Sequence, residues 1–302
     1  MKIGFALPYL SNVAHQVDRT AEFAREAEKA GAASLWAGDR NFVAVNPKIG
    51  IGGLGDTFVP VEYRTAADPF VLLGVAAAAT EQVKLGTNVL IGPIYPPVQL
   101  ARSLTTIDLI SGGRLIPGFG VGWSPEEFES ANVEFTKRGA RLNEMLDVLE
   151  LMWTSDPVEY HGRHVEVPLQ YAPLKPAHKP RPPFYIGTPT GARAALKRIG
   201  ERADGWLPAC IVPFFVDADS VLAQRAMIND FAKEAGRDPA LIDTIMRVNI
   251  AEGTPLPQVA DIIKSLSERT GIDEFMVESM SLPHIDASLD LVAEMMNLIK
   301  KG

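Results

Sequence analysis

Residues 68–118 read DPFVLLGVAAAATEQVKLGTNVLIGPIYPPVQLARSLTTIDLISGGRLIPG, and this stretch decides the fold. It begins with a helical run at 68–80, whose Pro69 suits a first turn, and continues into an apolar strand at 83–87. A second helical run at 98–111 and a second strand at 114–118 follow. Two helix-and-strand units in succession predict an alternating α/β fold.

The same alternation extends in both directions along the chain. Strands are predicted at 3–7, 33–36, 83–87, 114–118, 184–187, 205–208, 242–250 and 274–278. Helices are predicted at 17–31, 68–80, 98–111, 125–132, 138–153, 191–200, 218–235, 256–270 and 288–300. Eight βα units predict a (β/α)₈ TIM barrel of the α/β class with insertions, because a doubly wound sheet usually stops at five or six strands.

We expect one TIM-barrel domain over residues 1–302 with two inserts, at 41–65 and 156–183. The second insert is rich in proline and has the pattern of a small hairpin around 160–167. The first contains GIGGLG at 50–55, which matches a dinucleotide-binding fingerprint by letters. No clear strand precedes it and Pro60 blocks a following helix, so we interpret it as a mobile lid, or otherwise a plain surface loop.

Composition excludes several classes of protein. Hydrophobic residues make up 47 % of the 302, which excludes a disordered chain. The net charge is −8, from 29 basic and 37 acidic residues, and no basic arm is present, so nucleic acid is not an expected partner. The single Cys210 predicts no disulfide, no metal site and a cytoplasmic location. The most apolar run, 69–80, is shorter than the roughly 20 residues that a membrane helix needs.

Two glycine-rich turns follow predicted strands and are candidate ligand sites, because active sites of such barrels lie after the strand ends. The run GTPTG at 187–191 precedes a helix, so its backbone N–H groups and hydroxyls suit a phosphate; the alternative is an ordinary turn with Thr190 as helix cap. The run GFGVGW at 118–123 lets a flat ligand lie on the backbone, or else serves barrel curvature with Trp123 in the core.

Several runs, in this order and spacing, resemble the bacterial-luciferase-like monooxygenase superfamily, and more closely its branch of oxidoreductases dependent on the deazaflavin coenzyme F420. They are SLWAGD at 34–39, KLGTNV at 84–89, SGGR at 111–114, GFGVGW at 118–123, RG at 138–139 with Glu144, PPFYIG at 182–187 and ADGW at 203–206. The resemblance covers essentially the whole chain. It implies F420 as cofactor, a small-molecule substrate and a homodimer.

The resemblance also implies which residues bind the cofactor. Asn88 and Val89 match a bulge that in relatives places a non-proline cis peptide against the deazaflavin ring, and Asp39 matches a residue beside that ring. Gly120 belongs to the glycine run on which the flat ring is expected to lie. The segment 187–193 matches the phosphate-binding segment, which favours the phosphate interpretation. Its expected contacts are Gly187, Thr188, Thr190, Gly191, Ala192 and Arg193.

Two positions depart from the family pattern. Relatives that oxidise sugar phosphates or secondary alcohols follow the matched Asp with a His that acts as base, and carry a Glu where this chain has Trp123. Here Arg40 follows Asp39. An arginine stays protonated, so it cannot remove an alcohol proton, but it can hold an anionic substrate. We expect Arg40 and Trp123 on the substrate side.

The sequence thus predicts an F420-dependent oxidoreductase that transfers hydride between the deazaflavin and a small organic substrate. The alternatives are an FMN-dependent luciferase-like monooxygenase and a non-catalytic flavin- or deazaflavin-binding relative. Because the coenzyme is anionic and the chain acidic, a local basic rim is expected from some of Arg40, Lys48, Arg64 and Arg193. Such a rim predicts that raising the ionic strength weakens binding.

Overall fold

A curled parallel sheet surrounded by helices forms the computed structural model, which describes residues 1–51, 57–188 and 191–300. Its strands are β1 Lys2–Ala6, β2 Ser34–Ala37, β3 Lys84–Thr87, β4 Leu90–Ile91, β5 Leu115–Ile116, β6 Gly118–Gly120, β7 Val158–His161, β8 Glu166–Gln170, β9 Tyr185–Gly187, β10 Gly205–Leu207, β11 Ala209–Val212, β12 Asp243–Ile250 and β13 Glu274–Ser279. Its α-helices are α1 Thr20–Ala30, α2 Pro69–Ala79, α3 Pro97–Ser111, α4 Pro125–Ser130, α5 Arg138–Thr154, α6 Arg193–Arg202, α7 Ala218–Glu234, α8 Leu256–Thr270 and α9 Ile285–Lys300.

The sheet closes on itself. Its strand order is β4-β6-β9-β10-β12-β13-β1-β2-β3-β5, with β11 beside β12. A stave is here one of the eight strand positions around the barrel, numbered in chain order. Strands β5 and β6 are successive parts of the fourth stave. They are separated by Pro117, which has no N–H to donate to a neighbouring strand. One part pairs with β3 and the other with β9, so the two ends of the order meet. The predicted TIM-barrel architecture is therefore confirmed.

The interior of the barrel is filled by one layer of large side chains. It contains Trp36, Ile116, Tyr185, Leu207, Ile245 and Met276. Each comes from a different stave, as expected where alternate residues of a parallel strand point inward. Gly86 leaves room for the indole of Trp36, which an added Cβ would overlap. This layer fills the middle of the barrel, and the active sites of such barrels lie beyond the C-terminal ends of the strands.

The helices cover the outside of the sheet with their apolar faces. In α2, Asp68 accepts hydrogen bonds from the backbone N–H groups of Phe70 and Val71 at 2.8 and 3.0 Å, and Pro69 occupies the first turn. The helix then buries Leu72 and Leu73 against the strands. Burial of each such leucine contributes about 1.5–3 kcal/mol.

The first residue of a helix differs from the predicted one by two or more positions in three helices. The helix predicted at 17–31 starts at Thr20, because a 3₁₀ helix over Ser11–Arg19 precedes it. Helix α6 starts at Arg193 rather than at Gly191, whose φ of +62° is not helical. Helix α9 starts at Ile285 rather than at 288. Hydrophobic spacing locates a helix but leaves its first turn to local contacts.

The two inserts differ in how much of their structure is described. In the insert at 156–183, strands β7 and β8 form the predicted hairpin, and the Glu144 carboxylate of α5 accepts hydrogen bonds from the N–H groups of His164 and Val165 at 2.7 and 2.9 Å. The insert at 41–65 contains a 3₁₀ helix at Val61–Arg64, after which the Ala67 N–H donates to the Tyr9 carbonyl. Residues 52–56 lie outside the described part, so the lid interpretation stays a prediction.

Candidate active site

The bulge after β3 lies at the C-terminal mouth of the barrel, and the peptide bond between Asn88 and Val89 is cis, as the resemblance implies. The two methyl groups of Val89 point at two strand-end glycines. A Cβ added to Gly120 or to Gly187 would lie 2.7 Å from one of these methyl groups. The structure therefore brings Asn88, Val89, Gly120 and Gly187 together at one place, where the two glycines leave room for the Val89 side chain.

Arg247 of β12 holds the backbone of this bulge. One of its terminal nitrogens donates to the carbonyl oxygen of Asn88 at 3.1 Å, and another forms an ion pair with Glu278 of β13. The hydroxyl of Tyr9, from the loop after β1, donates to the same carboxylate. Gly38 is required beside it, because an added Cβ would lie 2.5 Å from the Tyr9 hydroxyl. These three side chains from three staves form one connected group at the mouth.

Burial and charge shift the pKa values in this group. Burial raises the pKa of Tyr9 well above its ordinary value, and the negative charge of Glu278 acts in the same direction. Burial opposes the charged form of Arg247, but the neighbouring Glu278, Tyr9 and Tyr63 still raise the pKa of Arg247 above its ordinary value. Tyr9 therefore stays protonated and Arg247 stays charged at neutral pH.

Asp39 is held by one of its carboxylate oxygens. That oxygen, Oδ2, accepts from the Ile91 N–H at 2.8 Å and from the Tyr95 hydroxyl at 2.9 Å. Burial raises the pKa of Asp39, although both hydrogen bonds oppose the shift. The carboxylate is fixed between staves two and three, close to the bulge, where the sequence predicts a cofactor contact.

Arg40 is occupied by protein groups rather than presented as a free cation. Its guanidinium forms a 2.7 Å ion pair with Glu127, with side-chain exposures of 6 % and 0 %. It also lies over the Trp123 ring, 4.4 Å from the centroid. Lys48, another candidate for the expected basic rim, also has a carboxylate partner, because its ammonium pairs with Glu129. An ion pair has almost no net charge, so it attracts a distant anion only weakly.

The expected phosphate segment is described only in part. Thr188 is buried, whereas Thr190 lies outside the described residues. Gly191 has a φ of +62°, and Ala192 is the N-cap residue of α6, whose backbone N–H groups begin the helix there. The Arg193 guanidinium packs over the ring of Phe231 of α7 at 4.9 Å. A helix start with glycine before it suits an anion, and Arg193 itself packs sideways against a neighbouring helix.

Sequence reasoning missed Tyr9, Tyr63, Arg247 and Glu278 as members of the mouth. A signal was present in two of them. Arg247 and Glu278 stand at alternate, inward-pointing positions of strands that are otherwise apolar, in the runs TIMRVNI at 244–250 and EFMVES at 274–279. A charge on the inner face of a barrel strand needs a partner, and closure of the barrel supplies it.

A comparison with protein families decides the membership of the chain. Residues 1–261 match the family model described as luciferase-like monooxygenase. The chain belongs to this family. It is accordingly an oxidoreductase, and the resemblance inferred from the sequence runs is confirmed.

Individual relatives extend this result. An uncharacterised protein of Mycobacterium tuberculosis is 31 % identical over 216 residues, which cover 71 % of this chain and 74 % of that protein. An F420-dependent glucose-6-phosphate dehydrogenase of Nocardia farcinica is 29 % identical over 68 % of this chain and 61 % of its own length. The solved structure of coenzyme F420-dependent tetrahydromethanopterin reductase from Methanopyrus kandleri superposes with a TM-score of 0.73 at 18 % identity, covering 100 % of this chain and 99 % of that one.

The described residues contain neither a metal-binding cluster nor a membrane-spanning helix. Within residues 1–51, 57–188 and 191–300, no three His, Cys, Asp or Glu side chains gather in a way that would hold a metal ion. In the same part of the chain, no helix combines the length and apolar content needed to cross a bilayer. The mouth described above combines the group of Tyr9, Glu278 and Arg247 with the small-residue cradle of Val89, Gly120 and Gly187.

Proposed function

We propose that this chain transfers hydride between coenzyme F420 and a small organic substrate at the C-terminal mouth of the barrel. The observation that carries the proposal is the cradle formed by Val89 with Gly120 and Gly187, beside the cis peptide. The flat ring would lie against Val89, and the absence of side chains on Gly120 and Gly187 leaves the room that Val89 needs there. The F420-dependent relative supports the choice of coenzyme.

The residues at the mouth fit this group. The side-chain nitrogen of Asn88 is buried and finds no hydrogen-bond partner among the described residues, and the same holds for Nε of Arg247. A buried donor without a partner costs roughly 1–3 kcal/mol, so a ligand that accepts a hydrogen bond there recovers free energy. At the other end of the ligand, the start of α6 offers backbone N–H groups to a phosphate after Gly191 and Ala192.

The protein contributes position and exclusion of water. When bound, the deazaflavin supplies a carbon that gives or takes hydride as an electron pair. Val89 supports one face of the ring position, and Arg247 fixes the carbonyl of Asn88 and with it the bulge. Holding donor and acceptor carbons at roughly 3–3.5 Å accounts for most of what a protein adds to such a reaction. Trp123 and Arg40 border the substrate side.

A fluorescence titration of the purified protein with F420 and, separately, with FMN tests the proposal. We expect saturable binding of F420 and much weaker binding of FMN. Tight binding of FMN without binding of F420 overturns it in favour of a flavin-dependent monooxygenase, the reading that the name of the family favours. Binding of F420 without turnover of any carbonyl, alkene or alcohol in a panel favours a non-catalytic binding protein.

The homodimer and the cytoplasmic location belong to the same proposal and rest on the sequence. Light scattering of the purified protein measures the oligomeric state directly. Subcellular fractionation of the source cells measures the location.

A further inference from the structure

Within the group of Tyr9, Glu278 and Arg247, the proposed role toward the coenzyme belongs to Arg247, through its Nε and its contact with Asn88, and leaves Tyr9 and Glu278 without one. The exposed fractions of Tyr9 and Glu278 are 4 % and 2 %, and the group spans the mouth from the first stave to the seventh and eighth. Burying a carboxylate and a guanidinium is costly unless the geometry is good, and a well-packed apolar trio would stabilise the barrel as well. A function at the mouth explains why charged groups stand there.

Hydride transfer to or from a carbon that bears oxygen also requires one proton to move at that oxygen. Arg40 cannot take a proton, and its carboxylate partner Glu127 is engaged by it. Asp39 is held by a backbone N–H and by Tyr95 on the side of β4. The Tyr9–Glu278 pair differs, because its hydroxyl both donates a proton to a carboxylate and keeps lone pairs for another partner.

We propose that Tyr9 and Glu278 handle the proton of an alcohol–carbonyl substrate at this mouth, with Arg247 as the positioning residue for the carboxylate. The inference rests on the proposed F420-dependent hydride transfer. In the direction of oxidation, the substrate C–H bond breaks and its electron pair leaves as hydride to the coenzyme. The substrate O–H proton passes to the Tyr9 oxygen while the Tyr9 proton passes to Glu278, and the C–O bond becomes C=O.

The relay avoids an isolated phenolate. Burial and the Glu278 charge raise the pKa of Tyr9, so losing its proton without receiving another is unfavourable. Receiving the substrate proton as it gives up its own leaves Tyr9 neutral throughout, and only Glu278 changes charge. Protonated Glu278 keeps its hydrogen-bonding partners Tyr9 and Arg247. The reverse sequence protonates the oxygen of a carbonyl substrate during its reduction.

A small cavity borders the pair on one side. A cavity of about 30 Å³ is lined by Tyr9 and Glu278 together with Ser279 and Ser288 and apolar side chains of β1 and α9. That volume holds one water molecule, and these polar groups provide the two to four partners that a buried water needs. Glu278 can thus exchange its proton on this side while the mouth is covered by coenzyme and substrate.

The other titratable and charged groups around Glu278 are few. Tyr9 faces it from the loop after β1, Arg247 from β12, and Tyr63 from the first insert, while Arg40 acts on Tyr63 from the loop after β2. Burial raises the pKa of Tyr63, so this phenol stays neutral.

The test compares the wild type with Tyr9→Phe, Glu278→Gln and Tyr160→Phe. The last removes a 3.1 Å hydrogen bond from a tyrosine to Asp147 on the hairpin side, and it is the matched control for loss of a phenol–carboxylate contact. Binding of F420 is measured first by fluorescence. Turnover is then followed with F420 and a panel of secondary and primary alcohols, including 2-propanol, cyclohexanol and glucose 6-phosphate, as a function of pH and in D₂O.

We expect Tyr9→Phe to bind F420 within about threefold of the wild type and to lose roughly 10²–10⁴-fold in kcat, with loss of the solvent isotope effect. Glu278→Gln is expected to lose a similar factor in kcat, because an amide cannot take up the proton of Tyr9. Tyr160→Phe is expected to match the wild type. Glu278→Gln also leaves Arg247 without a charge partner, so Tyr9→Phe decides the matter if this variant does not fold.

Three results overturn the inference. One is full activity of Tyr9→Phe, and another is full activity of a folded Glu278→Gln. The third is a wild type that binds F420 but oxidises no alcohol in the panel, since the pair then has no proton to take. Failure of the wild type to bind F420 is a different result, because it removes the proposed function and this inference with it.

Discussion

At the scale of single residues, the ion pair between Arg40 and Glu127 affects the stability of the fold. Both side chains are buried, and Glu127 also accepts from the N–H of Asn41 at 2.9 Å. Removing one charge from such a pair leaves the other without compensation in a poorly solvated place. An arginine at position 40 suggests a cation that binds substrate. Its ion pair with Glu127 also has a structural role, because the Glu127 carboxylate connects α4 to Arg40 and to Asn41 at the start of the first insert.

Replacing Glu127 by Leu is therefore expected to lower the free energy of unfolding by about 3–5 kcal/mol, because Arg40 stays buried and unpaired. The double variant Arg40→Met with Glu127→Leu should recover most of that loss. Urea denaturation monitored by circular dichroism measures both. Lys48→Ala, which breaks an ion pair exposed by 56 % and 64 %, is the control and should change stability by less than about 1 kcal/mol. Equal losses in the single and double variants contradict this account.

Asp39 predicts a dependence of stability on pH. Burial raises the pKa of Asp39 above its ordinary value of 3.8, so the folded protein binds a proton that the unfolded chain has already released. The ionised carboxylate therefore destabilises the fold, and this destabilisation grows as the pH rises from 3.8 through the folded pKa. Asp39→Asn keeps an oxygen for Ile91 and Tyr95 but carries no charge.

The stability of Asp39→Asn relative to the wild type should accordingly increase from about pH 4 to about pH 7, as measured by urea denaturation at each pH. Asp230→Asn, at an exposed position on α7, is the control and should show a much flatter difference. A relative stability that falls as the pH rises would mean that the hydrogen bonds to Ile91 and Tyr95 outweigh burial.

At the scale of elements, the ends of β6 and β9 matter more than their lengths. Each strand has three residues and ends in a glycine, and both glycines face the side chain of Val89. The sequence predicts the strands and the glycines, because apolar runs and glycine turns are local signals. It does not predict that Val89 fills the space between the two glycines, since that contact depends on the order in which the staves close.

Gly120→Ala is expected to displace Val89 and to weaken F420 binding at least about tenfold while the barrel stays folded, because its Cβ would lie 2.7 Å from a Val89 methyl group. Adding Val89→Ala should restore part of the affinity by removing that methyl group. Gly74→Ala in α2, where an added Cβ meets no atom of the described chain within 4 Å, is the control. Fluorescence titration measures all four proteins, and unchanged affinity in Gly120→Ala would exclude the cradle as the ring site.

At the scale of the whole molecule, barrel closure brings together residues that no local pattern connects. Tyr9 and Glu278 are 269 positions apart and still share a hydrogen bond. The alternation of strands and helices is predictable, because each element buries one face and its spacing shows in the sequence. Partners such as Arg40 with Glu127 are not predictable in that way, because which residues meet depends on the relative positions of elements far apart in the chain. Sequence therefore locates strand ends well and ion pairs poorly.

The net charge of the whole molecule affects how salt changes the affinity for the coenzyme. A basic rim predicts weaker binding at higher ionic strength, whereas the pairing of two rim candidates predicts the opposite. Of the four candidate cations for the rim, Arg40 and Lys48 are paired with carboxylates. The net charge of −8 therefore determines the long-range electrostatic interaction, which repels an anionic coenzyme. Salt screens that repulsion over a Debye length of about 10 Å, whereas contacts with backbone N–H groups at the start of α6 are short and little screened. Raising NaCl from about 50 to about 500 mM should thus leave F420 affinity unchanged or increase it. The deazaflavin riboside without phosphate and glutamate tail is the control and should show no increase, whereas weaker F420 binding at high salt would mean that a free basic rim attracts the coenzyme after all.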